Sequence, residues 1–191
     1  MVTVHEAYNE YTPPSWLRPT VERLLTSLND QPIGNLGSVV LTNSAAIGDG
    51  KTQRVHGRKH ERRDCLGFYH AAGRNERAWI EVVVDNIARR LPWPWDYLQY
   101  ARDLHVANTL FHEMGHHLHA TIGSAGRDHE AAAEDWRLRL TQIHICKRYR
   151  YLIPLLRLSG ALYRMLSRTR WFQRVTQGNA QVASQSERSG T

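Results

Sequence analysis

Two histidines four residues apart, with a glutamate directly after the first, stand in Phe111-His112-Glu113-Met114-Gly115-His116, an H-E-x-x-H pattern. On a helix, residues i and i+4 point the same way, so both imidazoles can reach one ion while Glu113 stands beside them. Zinc held in this way lowers the pKa of a bound water to about 7, and a neighbouring carboxylate can take the released proton. The expected chemistry is hydrolysis by a metal-activated water, with His112 and His116 as ligands and Glu113 as general base. A site of this kind needs a third protein ligand and one open coordination position.

The third ligand is sought downstream, in Glu130-Ala131-Ala132-Ala133-Glu134-Asp135-Trp136. Glu130 and Glu134 share a helix face, and the small alanines between them permit close helix approach. If Gly123 closes the first helix and Ser124 caps the next, the return brings Glu130 level with His116 and Glu134 level with His112. Glu130 would then bind the ion, and Glu134 would accept the second N–H of His112. If Asp128 is the cap, the register slides and Glu134 becomes the better ligand. His129 and Asp128 are weaker options. The metzincin extension is absent, because Ile122 stands where its last histidine would fall.

H-E-M-G-H followed by E-A-A-A-E-D-W resembles the gluzincin clan of zinc metallopeptidases, in which a ligand glutamate follows the H-E-x-x-H helix. It is most similar to the compact members, the minigluzincins of the anthrax lethal factor type and of the regulator-peptidase type that acts on phage-like repressors. The resemblance covers roughly residues 66–140. It implies zinc as cofactor, His112, His116 and Glu130 as ligands, Glu113 as base and Glu134 behind the ligands. It also implies a protein or peptide substrate lying extended along a strand ahead of the motif helix. No residue just before Glu130 is an obvious oxyanion stabiliser. Tyr69, His70, His144, Tyr149 and Tyr151 are candidates by type alone.

The elements that must position these groups follow from hydrophobic patterning. Apolar residues at helical spacing after Pro13-Pro14 predict a first helix over 15–28, and Val39-Val40-Leu41 predicts a strand over 38–42. Runs at 66–71 and 79–84 flank the turn-like Gly73-Arg74-Asn75-Glu76 and predict an antiparallel hairpin. The polar, basic stretch 48–64 offers no apolar face and reads as a mobile loop. Long helical patterns cover about 96–122 and 128–149, broken at Gly123 and Gly126. The expected fold is α+β and zincin-like, with a small antiparallel sheet packed on the H-E-x-x-H helix and the glutamate-bearing helix. An N-terminal helix and a C-terminal helical segment complete it. The expected division is a metallopeptidase domain over 1–150, a basic amphipathic helix over 151–175 and a disordered tail over 176–191.

The 191 residues, 41% of them hydrophobic, suffice for one modest core. No stretch reaches the roughly 20 uninterrupted apolar residues of a membrane span, and no signal peptide is visible, so the cytoplasm is the expected address. Cys65 and Cys146 read as packing residues. The net charge of +7 is almost all arginine, with Lys51, Lys59 and Lys147 the only lysines. The basic segment 147–174 could meet nucleic acid or an anionic membrane, but a core-packing helix with solvated arginines is the favoured reading; the oligomeric state is left open. His105 and His119 are expected to face solvent or stand behind the ligands, His117 to point elsewhere, Trp136 to be core, and Trp93 and Trp95 to form a packed turn.

Two competing functions remain: a zinc amidohydrolase of the deformylase kind, with Cys65 as thiolate ligand, and a non-catalytic zinc-fold scaffold that binds DNA or a partner protein.

Overall fold

The computed structural model describes residues 2–31, 33–48, 52–55, 58–74, 76–91, 93–122, 128–152 and 154. The chain divides into two compact units, residues 1–148 and 149–191. In the second, the described part is a 3-10 turn at Arg150–Leu152 with its flanks. Beyond residue 154, the expected basic helix over 151–175 and the expected disordered tail over 176–191 lie outside the described residues.

The first unit is α+β. Its elements run β1 (Thr3–Ala7), α1 (Leu17–Ser27), β2 (Leu36–Thr42), α2 (Ser44–Ile47), β3 (Thr52–Val55), β4 (Arg58–Glu61), β5 (Gly67–His70), β6 (Ala78–Val83), α3 (Val84–Arg90), α4 (Gln99–Ile122) and α5 (His129–Arg148). Four strands form one mixed sheet in the order β1-β2-β6-β5, with β1/β2 and β2/β6 parallel and β5/β6 antiparallel.

The expected three-stranded antiparallel sheet is therefore corrected. Its hairpin is present, as the short link between β5 and β6 requires. The other pairs are joined by long connections, through α1 for β1/β2, and such connections allow strands to run parallel. Strand β1 has no sequence signature because it lies at a sheet edge with four of five residues exposed, so no apolar face marks it. The expected loop over 48–64 is also corrected in part. β3 and β4 pair antiparallel from Thr52↔Glu61 to Val55↔Arg58, a main-chain ladder that needs no apolar face. Helix α3 too escaped the sequence reading.

The core lies on one face of the sheet. Val39 and Leu41 of β2 alternate toward it, as do Ile80 and Val82 of β6, and all four are shut off from solvent. Against them pack Val21 and Leu24 of α1 and Leu110, Phe111 and Met114 of α4. Helix α4 has 24 residues and so runs about 36 Å. Its apolar stripe faces the sheet, and α5 returns along its flank.

Candidate metal centre

Each histidine of the motif is placed by its neighbours on α4. Met114 is buried in the core, which turns His112 and His116 to the other side of the helix, half-open to solvent. Gly115 faces α5, and a Cβ there would stand 2.4 Å from the Ala133 carbonyl oxygen and 2.8 Å from its Cα. Glycine at this point lets the two helix backbones touch, which brings the Glu130 side of α5 over the histidines.

Three side chains converge. His112 Nε2 is 3.4 Å from Glu130 Oε2, and His116 Nε2 is 3.8 Å from Glu130 Oε1. One ligand atom from each of His112, His116 and Glu130 lies within 4.8 Å of the others. Ligands at about 2.0–2.2 Å from a tetrahedral zinc stand roughly 3.4 Å apart, so this donor set and its spacing fit such an ion. Burial, with His112 close by, holds His116 below its ordinary pKa and favours the neutral, ligating form near pH 7.

Glu134 approaches from behind. Its Oε2 lies 3.8 Å from His112 Nδ1, on the side of the ring away from Glu130. Arg137 grips it with two N–H groups, Nε on Oε2 at 2.7 Å and Nη2 on Oε1, and donates through Nη1 to Asn108 Oδ1 at 2.7 Å. The Arg137 hydrogen bonds hold Glu134 below the usual carboxylate range. The order Asn108–Arg137–Glu134–His112 thus straps α5 to α4 beside the histidines.

The register that places these groups departs from the sequence argument. Asp128 does cap α5, its Oδ1 accepting the Glu130 N–H at 3.1 Å, the condition under which Glu134 was the expected ligand. Glu130 nevertheless meets both histidines. The backbone contact at Gly115 and Ala133 sets the register, and this outweighs which residue caps the helix.

Glu113 points at the strand edge. A Cβ on Gly67 of β5 would meet Glu113 Cγ and Thr109 Cγ2 at 3.0 Å each, so only glycine lets the strand come this close. The Tyr69 backbone N–H donates to the Glu113 carboxyl, which lowers its pKa. Burial acts more strongly, with the Glu130 charge adding to it, and the group is pushed up to about 8. All these residues line one cleft of about 780 Å³, between β5 with the preceding Cys65-Leu66 on one side and α4 and α5 on the other.

No family model, curated protein or solved structure matches the chain.

The remaining sequence candidates fall elsewhere. Tyr69 lines the cleft, but its hydroxyl lies 3.4 Å from Nδ1 of His117, which is fully buried and uses Nε2 on the Gly34 carbonyl. His70 stacks on Trp79 at 3.7 Å and meets Glu81 at 3.1 Å. His144 is buried against Asp103 and Ser27. Tyr149 and Tyr151 belong to the second unit. His105 meets the Ile87 carbonyl at 2.9 Å. His119 is buried rather than solvent-facing and packs its ring edge-on to His129 at 4.8 Å, because α5 covers this end of α4. Cys65 lines the cleft, with Sγ 3.6 Å from the Glu61 carbonyl oxygen. Trp93 and Trp95 do not form a packed turn; they are 77% and 54% exposed.

Sequence reasoning passed over Gly67, Asn108, Gly115 and Arg137. Arg137 lies three residues after Glu134 and Asn108 four before His112, helical spacings that would have flagged both.

Proposed function

We propose that the chain is a zinc-dependent metallopeptidase of gluzincin type, with a zincin-like arrangement of sheet and helices, that hydrolyses peptide bonds in a protein or peptide substrate. The observation that carries this reading is the convergence of His112, His116 and Glu130 in one cleft beside a partly buried carboxyl on the motif helix. His112, His116 and Glu130 would hold the ion. When bound, zinc supplies a water of lowered pKa and a positive charge for the carbonyl oxygen.

The chain's own groups account for the rest. Glu113, beside the ligands on the motif helix and lining the same cleft, accepts a proton from the attacking water and passes it to the departing amine nitrogen. Glu134, held ionised by Arg137, faces the Nδ1 side of the His112 ring at 3.8 Å and favours the tautomer with the proton on Nδ1, which leaves Nε2 to the ion.

Strand β5 offers a place for an extended peptide. The Val83 N–H donates to the Leu66 carbonyl at 2.8 Å, and this register turns the main chain of Gly67 and Tyr69 away from β6. The Tyr69 N–H is spent on Glu113, and Gly67 and Tyr69 both line the cleft. A substrate strand added there would set its carbonyl beside Glu113 by main-chain pairing, with limited dependence on side chains.

The test is Glu113→Gln. The variant should keep zinc and lose cleavage of a peptide library by about 10²- to 10⁴-fold; cleavage at the parental rate would refute Glu113 as base. Cys65 lines the same cleft without joining the convergent donors, and a zinc amidohydrolase with a thiolate ligand is the competing reading. Cobalt substitution separates the two: a thiolate gives an intense near-ultraviolet charge-transfer band that a His, His, Glu set lacks.

A further inference from the structure

Four large apolar side chains stand exposed within six residues. Trp93 is 77% exposed, Trp95 54%, Tyr97 69% and Leu98 52%, on the turn between α3 and α4. Single exposed apolar residues are ordinary, but a run of two tryptophans, a tyrosine and a leucine on one turn is a contact surface.

The turn is built to project. A 3-10 turn at Trp95–Tyr97 is closed by the Tyr97 N–H on the Pro94 carbonyl and the Leu98 N–H on the Trp95 carbonyl, at 3.1 and 3.0 Å. Arg102 of α4 donates through Nε to the Asp96 carbonyl and so ties the turn to the helix that follows. Asp96, the one acid among these six residues, is half-buried, with Oδ1 closed off from solvent. The tip therefore presents rings and an isobutyl group, with one oxygen of its single carboxylate turned away from solvent.

Cations flank it. Arg89 and Arg90 end α3, a few residues before Trp93. The Arg89 side chain is 68% exposed and shares Asp85 at 3.6 Å, while Arg90 is exposed and gives one N–H to the Asp64 carbonyl, keeping its charge. The chain as a whole carries +7.

We propose that this turn is an anchor for the interface of an anionic lipid bilayer. Tryptophan and tyrosine rings favour the headgroup level, where an apolar body and a polar N–H or O–H are both accommodated. Arg89 and Arg90 would lie over lipid phosphates, and the positive chain would be drawn to a negative surface before the rings insert. Exposed tryptophan and tyrosine rings on a chain of net positive charge suit the fluid, anionic interface of a bilayer. The anchor would hold the cleft-bearing unit at a membrane surface whether or not that cleft holds zinc.

The test is co-sedimentation of the full chain with phosphatidylcholine vesicles and with mixed phosphatidylcholine–phosphatidylserine vesicles, with tryptophan emission read in parallel. The parent should bind the anionic vesicles preferentially, and its emission should shift to the blue. Trp93→Ser/Trp95→Ser should lower partitioning by about tenfold or more and abolish most of the shift, with an unchanged thermal melt because both rings are exposed. Arg90→Ser should give a smaller loss that added salt masks. Undiminished binding by the double-tryptophan variant would overturn the proposal and move the contact to other basic surface. Absence of binding to anionic vesicles at low salt would also overturn it. So would dimerisation of the parent that the double variant lacks, which would make the turn a protein contact.

Discussion

Helices α4 and α5 carry two clusters built from the same residue types, and the two are put together differently. Toward the start of α4, Asp103 has no solvent exposure; its Oδ1 lies 2.6 Å from Arg23 Nη2 and its Oδ2 3.4 Å from Nε2 of the equally buried His144. His144 Nδ1 meets Ser27 Oγ at 2.9 Å, so α1, α4 and α5 are tied through one carboxylate. About two and a half to four turns away along the same helices, His112, His116 and Glu130 approach to 3.4 and 3.8 Å, and each is between 21% and 37% exposed. In the first cluster the carboxylate and the imidazole are both sealed from solvent and held by one another and by α1. The second holds its donors at the spacing of ligands around an ion and opens onto a cleft. Closed, buried polar groups are tied to stability, whereas convergent half-open donors are suited to a third body.

Asp103→Ala should expose this difference most. It would leave the Arg23 guanidinium and His144 without their shared carboxylate, at an expected cost of about 3–5 kcal/mol in a denaturant melt. Whatever folds should still bind metal. His116→Ala should do the opposite, changing the metal-free melt by less than about 1 kcal/mol while abolishing uptake. Next comes Gly115→Ala, whose Cβ meets backbone rather than a flexible chain end. It should cost about 2–3 kcal/mol and spread Glu130 from the histidines, lowering metal affinity as well.

Glu113 gives a smaller effect with a definite pH dependence. Its carboxyl titrates at about 8 in the folded chain against 4.5 for the ordinary group, so ionisation favours the unfolded chain progressively as pH rises between those values. Glu113→Gln should therefore match the parent near pH 4 and stabilise the metal-free protein by roughly 1–2 kcal/mol at pH 9. That is below full linkage, because the group opens partly onto the cleft. A melt difference independent of pH would contradict the burial argument. Smallest is Arg137→Gln. Freeing Glu134 should weaken zinc about tenfold, measured by competition with a chelator, with little change in the melt.

What could be read from sequence tracks the range of the interactions. The pairing of His112 with His116 needs only the helical repeat, and the β5/β6 hairpin only two runs and a short turn. Strand β1 could not be read, because its position depends on α1 carrying the chain back to β2 and its side chains are mostly solvated. The choice between Glu130 and Glu134 depended on where two helices touch, and Gly115 within the motif was the available clue. The aromatic turn was misread because proline and tryptophan together imply packing, while the side chains stand outward. Long-range contacts and surface display leave weaker marks in a sequence than local periodicity does.

The central claim is tested most directly by the zinc content of the purified parent chain, set beside that of His116→Ala, Glu130→Ala and Glu134→Ala. One zinc per parent chain, lost in His116→Ala and Glu130→Ala and merely weakened in Glu134→Ala, is the predicted result. A parent that takes up no zinc on titration, or a Glu130→Ala variant that binds it as tightly as the parent, would contradict the account.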